Sequence, residues 1–372
     1  MTNFDRMRAV SICTLMAVII WGCQPSTRMD AEIELPNEEP VSAYAKGFFI
    51  EPIEDGYSVR FANSSLRDLP PARFVRSKST ETAEIHIPLQ RIACLSTTHA
   101  SYLADLGMAE RIVGIGYAEA VLDPRLRMLI DTGKIQNITN ATGLDLEKLV
   151  SLQPDAFLVY SYDFTPNALI EKAGISVIHI NEYEEQNPLA RAEWLRLFGV
   201  IGDCLPRADS LFVNLSRSYE QLRQSVFNQS YAPSVLTASY YGGQWYVPGS
   251  ESFAAKLIAD AGGVYLFHHK EGEGNVAVSF EELYSAASQA DFFGKVASTD
   301  SDKRSSFFEG DKRLENLPCF KQNKLFLCNT RSADYFGKAS TEPQVLLADL
   351  IKIFHPTLLP NHSGVYFKPT QP

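Results

Sequence analysis

The stretch "PRADSLFVNLSRSYEQLRQSVFN", residues 206–228, decides the architecture. Pro206 suits a first helical position, where its missing N–H costs nothing. Leu211, Leu215, Tyr219 and Leu222 then recur at helical spacing, and no glycine or proline interrupts them. At 1.5 Å per residue such a helix runs roughly 30 Å, the span of a small domain. It is long enough to join two lobes rather than pack within one. The 372-residue length agrees, since single cores stop growing near ~250–300 residues.

Strands and helices alternate on both sides of this rod. Before it, "EIHIPLQRIACLS" reads as strand, "HASYLADLGMAE" as helix and "RIVGIGY" as strand. "DLEKLVSLQ", "PDAFLVYSY", "PNALIEKAG" and "ISVIHIN" continue as helix, strand, helix, strand. After it come the strand "SVLTASYY", the helices "SFAAKLIADAGG" and "SFEELYSAASQ", and the strand-like "ADFFGKVAS". The helix "DKRLENLPCFKQ", the strand "KLFLCN" and the helix "TEPQVLLADLIKIFHP" close the chain. The strands are Val/Ile-rich and not strictly alternating, as in parallel sheets covered on both faces. The fold class is therefore α/β: two Rossmann-like lobes with parallel sheets, joined by one long connecting helix. Ahead of them, "GFFIEPIEDGYSVRFAN" (47–63) places two β-prone runs around Glu54-Asp55-Gly56. Asp-Gly is a strong hairpin signal, so an N-terminal accessory β-hairpin is expected, with a short strand near Arg73–Val75.

The N-terminus reads as an export signal. Arg6 and Arg8 precede the uncharged run Ala9–Trp21, too short for a stable membrane span. Ile20-Trp21-Gly22-Cys23 resembles a bacterial lipobox, which makes Cys23 the lipidated residue. The expected organisation is a signal peptide at 1–22, a flexible tether at 23–45 and an N-terminal lobe with hairpin at 46–187. A connecting helical region at 188–230 and a C-terminal lobe at 231–372 follow. The formal net charge of −10 disfavours nucleic acid, which needs a positive footprint. Cys94 and Cys204 read as buried thiols, Cys319 and Cys328 could pair in an oxidising compartment, and no cysteine or histidine spacing suggests zinc.

In open α/β sheets, ligands sit beyond the carboxyl ends of the strands. There the chain places Thr97, Thr98 and His99, then Tyr117, then Tyr160 and Tyr162. In the second half come Tyr240 and Tyr241, then Trp245 in the next loop, and Arg331 and Tyr335 after the last strand. Tyrosine and tryptophan offer broad apolar faces with one polar tip, suited to a large, partly hydrophobic ligand. His99 is either a metal-coordinating residue or a hydrogen-bonding residue at a helix start. Enzyme motifs fail. Gly114-Ile115-Gly116 begins like a dinucleotide loop, but Glu119 stands where the third glycine belongs. Neither GxxxxGK[ST] nor GxSxG occurs. No catalytic residue and no resident cofactor is expected.

"RIACLSTTHASYLADLGMAERIVGIG", "LDLEKLVSLQPDAFLVY", "GSESFAAKLIADAGG" and "LLADLIKIFHP" resemble, in order, the substrate-binding proteins of ABC importers for iron–siderophore complexes, haem and vitamin B12. The resemblance covers roughly residues 85–360. It implies a monomeric, lipid-anchored, extracytoplasmic receptor that captures a metal chelate between its lobes and delivers it to a permease dimer. A ferric siderophore leads, with cobalamin or haem next, and Arg331 is a candidate partner for an anionic siderophore. It also implies that one glutamate on each lobe meets the permease. These are Glu147 in "DLEKLVSLQPD" and Glu281 in "VSFEELYSAAS". Where the family has "PD" before a second-half strand, this chain has Gln289-Ala290-Asp291. The alternative from another class is an envelope-anchored α/β hydrolase or metal-dependent enzyme.

Overall fold

The computed structural model describes residues 43–62, 71–77, 84–161, 167–308 and 311–370. The expected signal peptide, Cys23 and Tyr162 lie outside the described residues.

The first main sheet has the spatial order Ser176–His179, Ala156–Val159, Ile92–Cys94, Ile112–Ile115, Gln136–Asn137, every pair parallel. Ile92, Ala93, Cys94 and all of Ala156–Val159 are fully buried, which is why their sequences do not alternate. Gly116 lies where a Cβ would stand 2.5 Å from the Leu95 carbonyl oxygen. The Gly-Ile-Gly run therefore serves close approach of strand ends, not a phosphate. The second main sheet runs Val264–Tyr265, Ser234–Thr237, Phe292–Ala297, Leu325–Asn329, Lys368–Pro369, with only the last strand antiparallel. Strand order reverses between Ile92–Cys94 and Ala156–Val159 in one sheet, and between Ser234–Thr237 and Phe292–Ala297 in the other. Each reversal leaves a crevice at the carboxyl ends.

The connecting helix is Leu205–Ser225. Its buried stripe is Leu205, Ala208, Phe212, Leu215 and Tyr219. Leu215 and Tyr219 of the expected stripe are buried and Leu222 packs against the core, while Leu211 is 37% exposed and Phe212 is buried in its place. The Tyr219 hydroxyl donates to Asp260 Oδ2 at 2.8 Å, fixing the rod to the second half. One apolar core continues from the accessory sheet through Leu195–Ile201, the connector and Pro343–Phe354 into the second sheet. The described residues accordingly fall in one compact unit. A smaller cluster, including Phe157, Val159, Leu149 and Ile170, fills the other face of the first sheet.

The accessory hairpin forms as Phe48–Ile53 against Gly56–Phe61, with Ile53 opposite Gly56. Gly56 has φ +151°, and a Cβ there would lie 1.9 Å from the Phe74 carbonyl oxygen, so only glycine fits. Ala72–Val75 and Glu84–His86 enlarge the hairpin to four strands. Here the sequence reading needs correction. "EIHIPLQRIACLS" is two strands in two sheets, because Pro88 cannot donate to a ladder and divides them. "SVLTASYY" likewise splits into Ser234–Thr237 and Ser239–Tyr241. The latter pairs with Gln244–Pro248, so Trp245 lies in a strand rather than a loop. "DKRLENLPCFKQ" is two short turns, Lys312–Asn316 and Pro318–Lys321, divided before Pro318.

Cys94, Cys204, Cys319 and Cys328 are all free thiols, so Cys319 and Cys328 are not joined. Burial pushes the Cys319 thiol up to about 11 and the Cys328 thiol up to about 12. Among the described residues no helix is long and apolar enough to cross a membrane.

Candidate functional site

Ser96 explains the polar run at the exit of the first central strand. It caps the helix Thr97–Asp105 through the Thr98 N–H, at 3.1 Å. Its hydroxyl also lies 2.8 Å from the Tyr160 hydroxyl, across the point of strand reversal. Tyr160 donates onward to Glu182 Oε1 at 2.9 Å. Burial, then the Glu182 charge, raise the Tyr160 pKa well above the usual phenol value, so it stays a donor. Thr97 and Thr98 both donate to the backbone carbonyl of Phe336, at 3.1 Å for Thr97. Phe336 follows the strand Leu325–Asn329, so these two bonds tie the halves together.

Three cavities share walls here. The central one, about 340 Å³, lies between Ser96, Thr97, Thr98, Tyr160 and Arg191 on one side and Tyr335 and Phe336 on the other. Through Phe253, Tyr335 and Phe336 it adjoins an apolar chamber of about 240 Å³ walled by Leu257, Ile258, Phe326, Leu350 and Phe367. Through Tyr183, Arg191 and Phe253 it adjoins a polar chamber of about 490 Å³ that reaches Lys46, Gly47 and Ala62 of the accessory segment. Cavities thus lie at both strand-reversal points and share walls.

Arg191 is the Lys/Arg side chain that lines the central cavity. The helix Pro188–Glu193 begins with an Asn187 cap and Pro188, and Arg191 follows one turn later. Arg191 Nε donates to the Glu185 carbonyl and Nη2 to the Tyr183 carbonyl, each at 2.8 Å. Its guanidinium carbon sits 4.1 Å from the Phe253 ring centroid, across the cleft. Its described hydrogen bonds go to backbone carbonyls, not to a carboxylate. A second tie between the halves runs from Thr341 Oγ1 to Asp105 Oδ2 at 2.6 Å, with Arg125 on the other oxygen at 2.7 Å. Burial, and then the Asp123 charge, push the Asp334 carboxyl in the same loop up to about 6.

The structure disperses the sequence candidates. Thr97, Thr98, Tyr160 and Tyr335 line the central cavity. Burial pushes the Tyr335 hydroxyl up to about 12. His99 is fully buried behind it, its ring centroid 4.5 Å from that of Tyr160 and its Nε2 3.4 Å from Glu182 Oε2. It backs the site and lines none of the three cavities. Tyr117 is half exposed in a left-handed conformation, φ 52°, outside them. Trp245 is buried in the core with Tyr240 leaning on it, and Tyr241 points into solvent at the hairpin turn. Arg331 is exposed and pairs with Asp300 and Ser298. Sequence reasoning missed Arg191 and Phe253. The signals were present: Asn187-Pro188 opens one helix and Ser252 caps the helix Phe253–Asp260.

Glu147 and Glu281 occupy matching places. Each is the second residue of its helix, after the caps Asp145 and Ser279, and each is exposed. Among the described residues no group of three or more His, Cys, Asp or Glu side chains is placed to hold a metal ion.

The family whose profile matches residues 92–331 is the periplasmic binding protein family. An uncharacterized lipoprotein of Methanocaldococcus jannaschii is 24% identical over 294 residues, covering 76% of this chain and 69% of the relative. A periplasmic haem-binding protein from Pseudomonas aeruginosa superposes with a TM-score of 0.61 at 18% identity, covering 76% of this chain and 99% of that one. A possible iron-binding periplasmic solute-binding protein from Staphylococcus epidermidis gives 0.56 at 16% identity, covering 72% and 99%. These similarities carry the two-lobed fold, and they give no support to the hydrolase or metal-enzyme alternative. The match runs from the first central strand of one sheet, through the connector, to the last parallel strand of the other, and the chain belongs to the periplasmic binding protein family, whose members bind solutes rather than transform them.

Proposed function

We propose that this protein is the extracytoplasmic receptor of an ABC importer, held at the envelope by lipid on Cys23. Its ligand is a metal chelate, a ferric siderophore first, cobalamin or haem next, bound in the crevice between the two sheets. One observation carries this reading. The central cavity joins aromatic walls, Tyr160, Tyr335, Phe253 and Phe336, to a guanidinium with no carboxylate partner among its described bonds. That combination suits a bulky, partly apolar ligand bearing negative charge. Arg191 takes the role that the sequence suggested for Arg331. The relatives named for haem, iron and a lipoprotein support the same reading.

The test is a thermal-shift panel on the purified protein. It comprises iron(III) protoporphyrin IX, ferric citrate, an uncharged ferric trihydroxamate and cobalamin. A ligand at a hundred times its Kd stabilises by about 2.7 kcal/mol, enough to move the midpoint several degrees. No shift with any member overturns the proposal.

Glu147 and Glu281 are proposed to orient the receptor on its permease. Exposed interface charges mainly set encounter and register. Reversing both, Glu147→Lys with Glu281→Lys, is expected to reduce uptake by cells at least about tenfold. Chelate binding by the purified protein stays unchanged. Normal uptake by the double variant removes these residues from docking.

A further inference from the structure

We propose that Tyr160, Glu182 and His99 form a coordination site at the back of the central cavity, which supplies protein ligands to the ferric ion of a bound chelate. This rests on the chelate-receptor reading above and deepens it, because such an ion needs positions that its chelator leaves open.

The three side chains come from adjacent strand exits. The strands Ser176–His179, Ala156–Val159 and Ile92–Cys94 lie side by side in that order. Glu182 opens the short turn after the first, Tyr160 follows the second directly, and His99 stands in the first turn of the helix after the third. Tyr160 and Glu182 line the central cavity, with His99 behind Tyr160.

The sequence leaves His99 two roles, metal coordination or hydrogen bonding at a helix start. The second is taken by Ser96, the helix cap. His99 is fully buried, and neither of its ring nitrogens has a hydrogen-bond partner among the described residues. Its Nε2 lies 3.4 Å from Glu182 Oε2, but the contact lacks the geometry of a hydrogen bond, and that oxygen too is without a donor. Buried polar groups are bonded in the great majority of cases, so two neighbouring orphans mark the place of a third atom. Charge says of what kind. Glu182 is buried, and its other oxygen accepts from a neutral hydroxyl, that of Tyr160, at 2.9 Å. A neutral donor does not cancel the carboxylate charge, and among the described residues no lysine or arginine pairs with it. The place therefore suits a cation. The separations of 3.4 and 2.9 Å fit neighbouring donors on one metal ion, since bonds of about 2.0–2.1 Å set such donors about 3 Å apart. Carboxylate, imidazole and tyrosinate are all iron ligands. Burial and the Glu182 charge hold the free Tyr160 phenol protonated. Its phenolate forms only with the metal: the O–H bond breaks, an iron–oxygen bond forms and the proton leaves to water.

The experiment titrates the purified full chain with ferric nitrilotriacetate, whose chelator leaves iron positions open, and with a ferric trihydroxamate, whose chelator fills them. The wild-type protein is expected to bind ferric nitrilotriacetate and to develop the visible charge-transfer band of iron(III) tyrosinate. Tyr160→Phe, which keeps the ring, abolishes the band. His99→Ala and Glu182→Gln weaken ferric nitrilotriacetate about tenfold, with native circular dichroism and with any trihydroxamate binding unchanged. A wild-type protein that binds other probes but gives no band with ferric nitrilotriacetate overturns the site and leaves the receptor reading intact. So does a band that survives in Tyr160→Phe, or ferric nitrilotriacetate affinity that is unchanged in His99→Ala. An equal loss for both chelates in the His99 and Glu182 variants marks a structural role and overturns the site as well. Binding of neither chelate, nor of any member of the thermal-shift panel, overturns the receptor reading itself, and the site with it.

Discussion

Arg191→Ala is expected to weaken binding of an anionic chelate about 100-fold, the largest loss from any single side chain in the cleft. The magnitude follows from the kind of contact. A hydrogen bond to a charged group is worth about 1.5–3 kcal/mol, and each 1.4 kcal/mol is a factor of ten. Arg191 is half-buried, stacks on Phe253 and has backbone carbonyls on two of its nitrogens, which pre-orients the remaining donors. Little rotamer entropy is then lost when a ligand arrives. The same carbonyl contacts create a competing explanation, because removing the guanidinium also leaves the Tyr183 and Glu185 carbonyls unpaired. Two controls separate them. Arg191→Lys keeps the charge without the fork and should fall between wild type and alanine in affinity. The unfolding midpoint of ligand-free Arg191→Ala should drop by only a few degrees, with native circular dichroism retained. Arg331→Ala should leave affinity unchanged, since that side chain pairs with Asp300 on the surface. Equal affinity in Arg191→Ala and wild type would remove Arg191 from the site.

The contrast between Arg331 and Arg191 shows what the sequence could convey. Periodicity and strand-exit position are local signals, and they were enough for the connector, the strand–helix alternation, the hairpin and the placement of Thr97, Thr98, Tyr160 and Tyr335. Which strand exits meet is a matter of strand order. Thr97 and Tyr160 follow the two strands that flank the reversal point of their sheet, whereas Arg331 and Tyr335 leave one and the same strand, and only the course of the loop puts Tyr335 in the cavity and Arg331 at the surface beside Asp300. Trp245 lies apart from the three cavities because of the course of the chain as well. The segment after Tyr241 turns back through Gly242-Gly243 and becomes a strand, which carries the indole into the core. His99 sits at helical spacing from its cap, but its ring turns inward, and the orientation of a buried imidazole depends on packing against Tyr160 and Phe198 that no local pattern encodes. Arg191 was hidden by its surroundings. The region after the fourth strand was read as part of the connector, whereas Pro188–Glu193 is a separate short helix whose position near the cleft depends on tertiary contacts.

Glu193→Ala should destabilise the fold by about 3–5 kcal/mol, the cost of opening a buried, fully engaged charge site. Glu193 is completely buried and accepts three backbone N–H groups from residues 43–45 as well as a bond from Arg196. Arg196 keeps a second partner, Asp209 Oδ1 at 2.8 Å, so the deletion strands the three N–H groups more than the arginine. Lifting the segment away gives the freed N–H groups access to water. The expected result is therefore specific: a lower urea midpoint, together with new protease sensitivity near residues 43–47 while the two main sheets stay resistant. Glu193→Gln preserves shape and one acceptor oxygen, and should cost less. A Glu193→Ala protein with the wild-type midpoint and an equally protected segment would show that these three backbone bonds do not hold the entry to the accessory sheet in place.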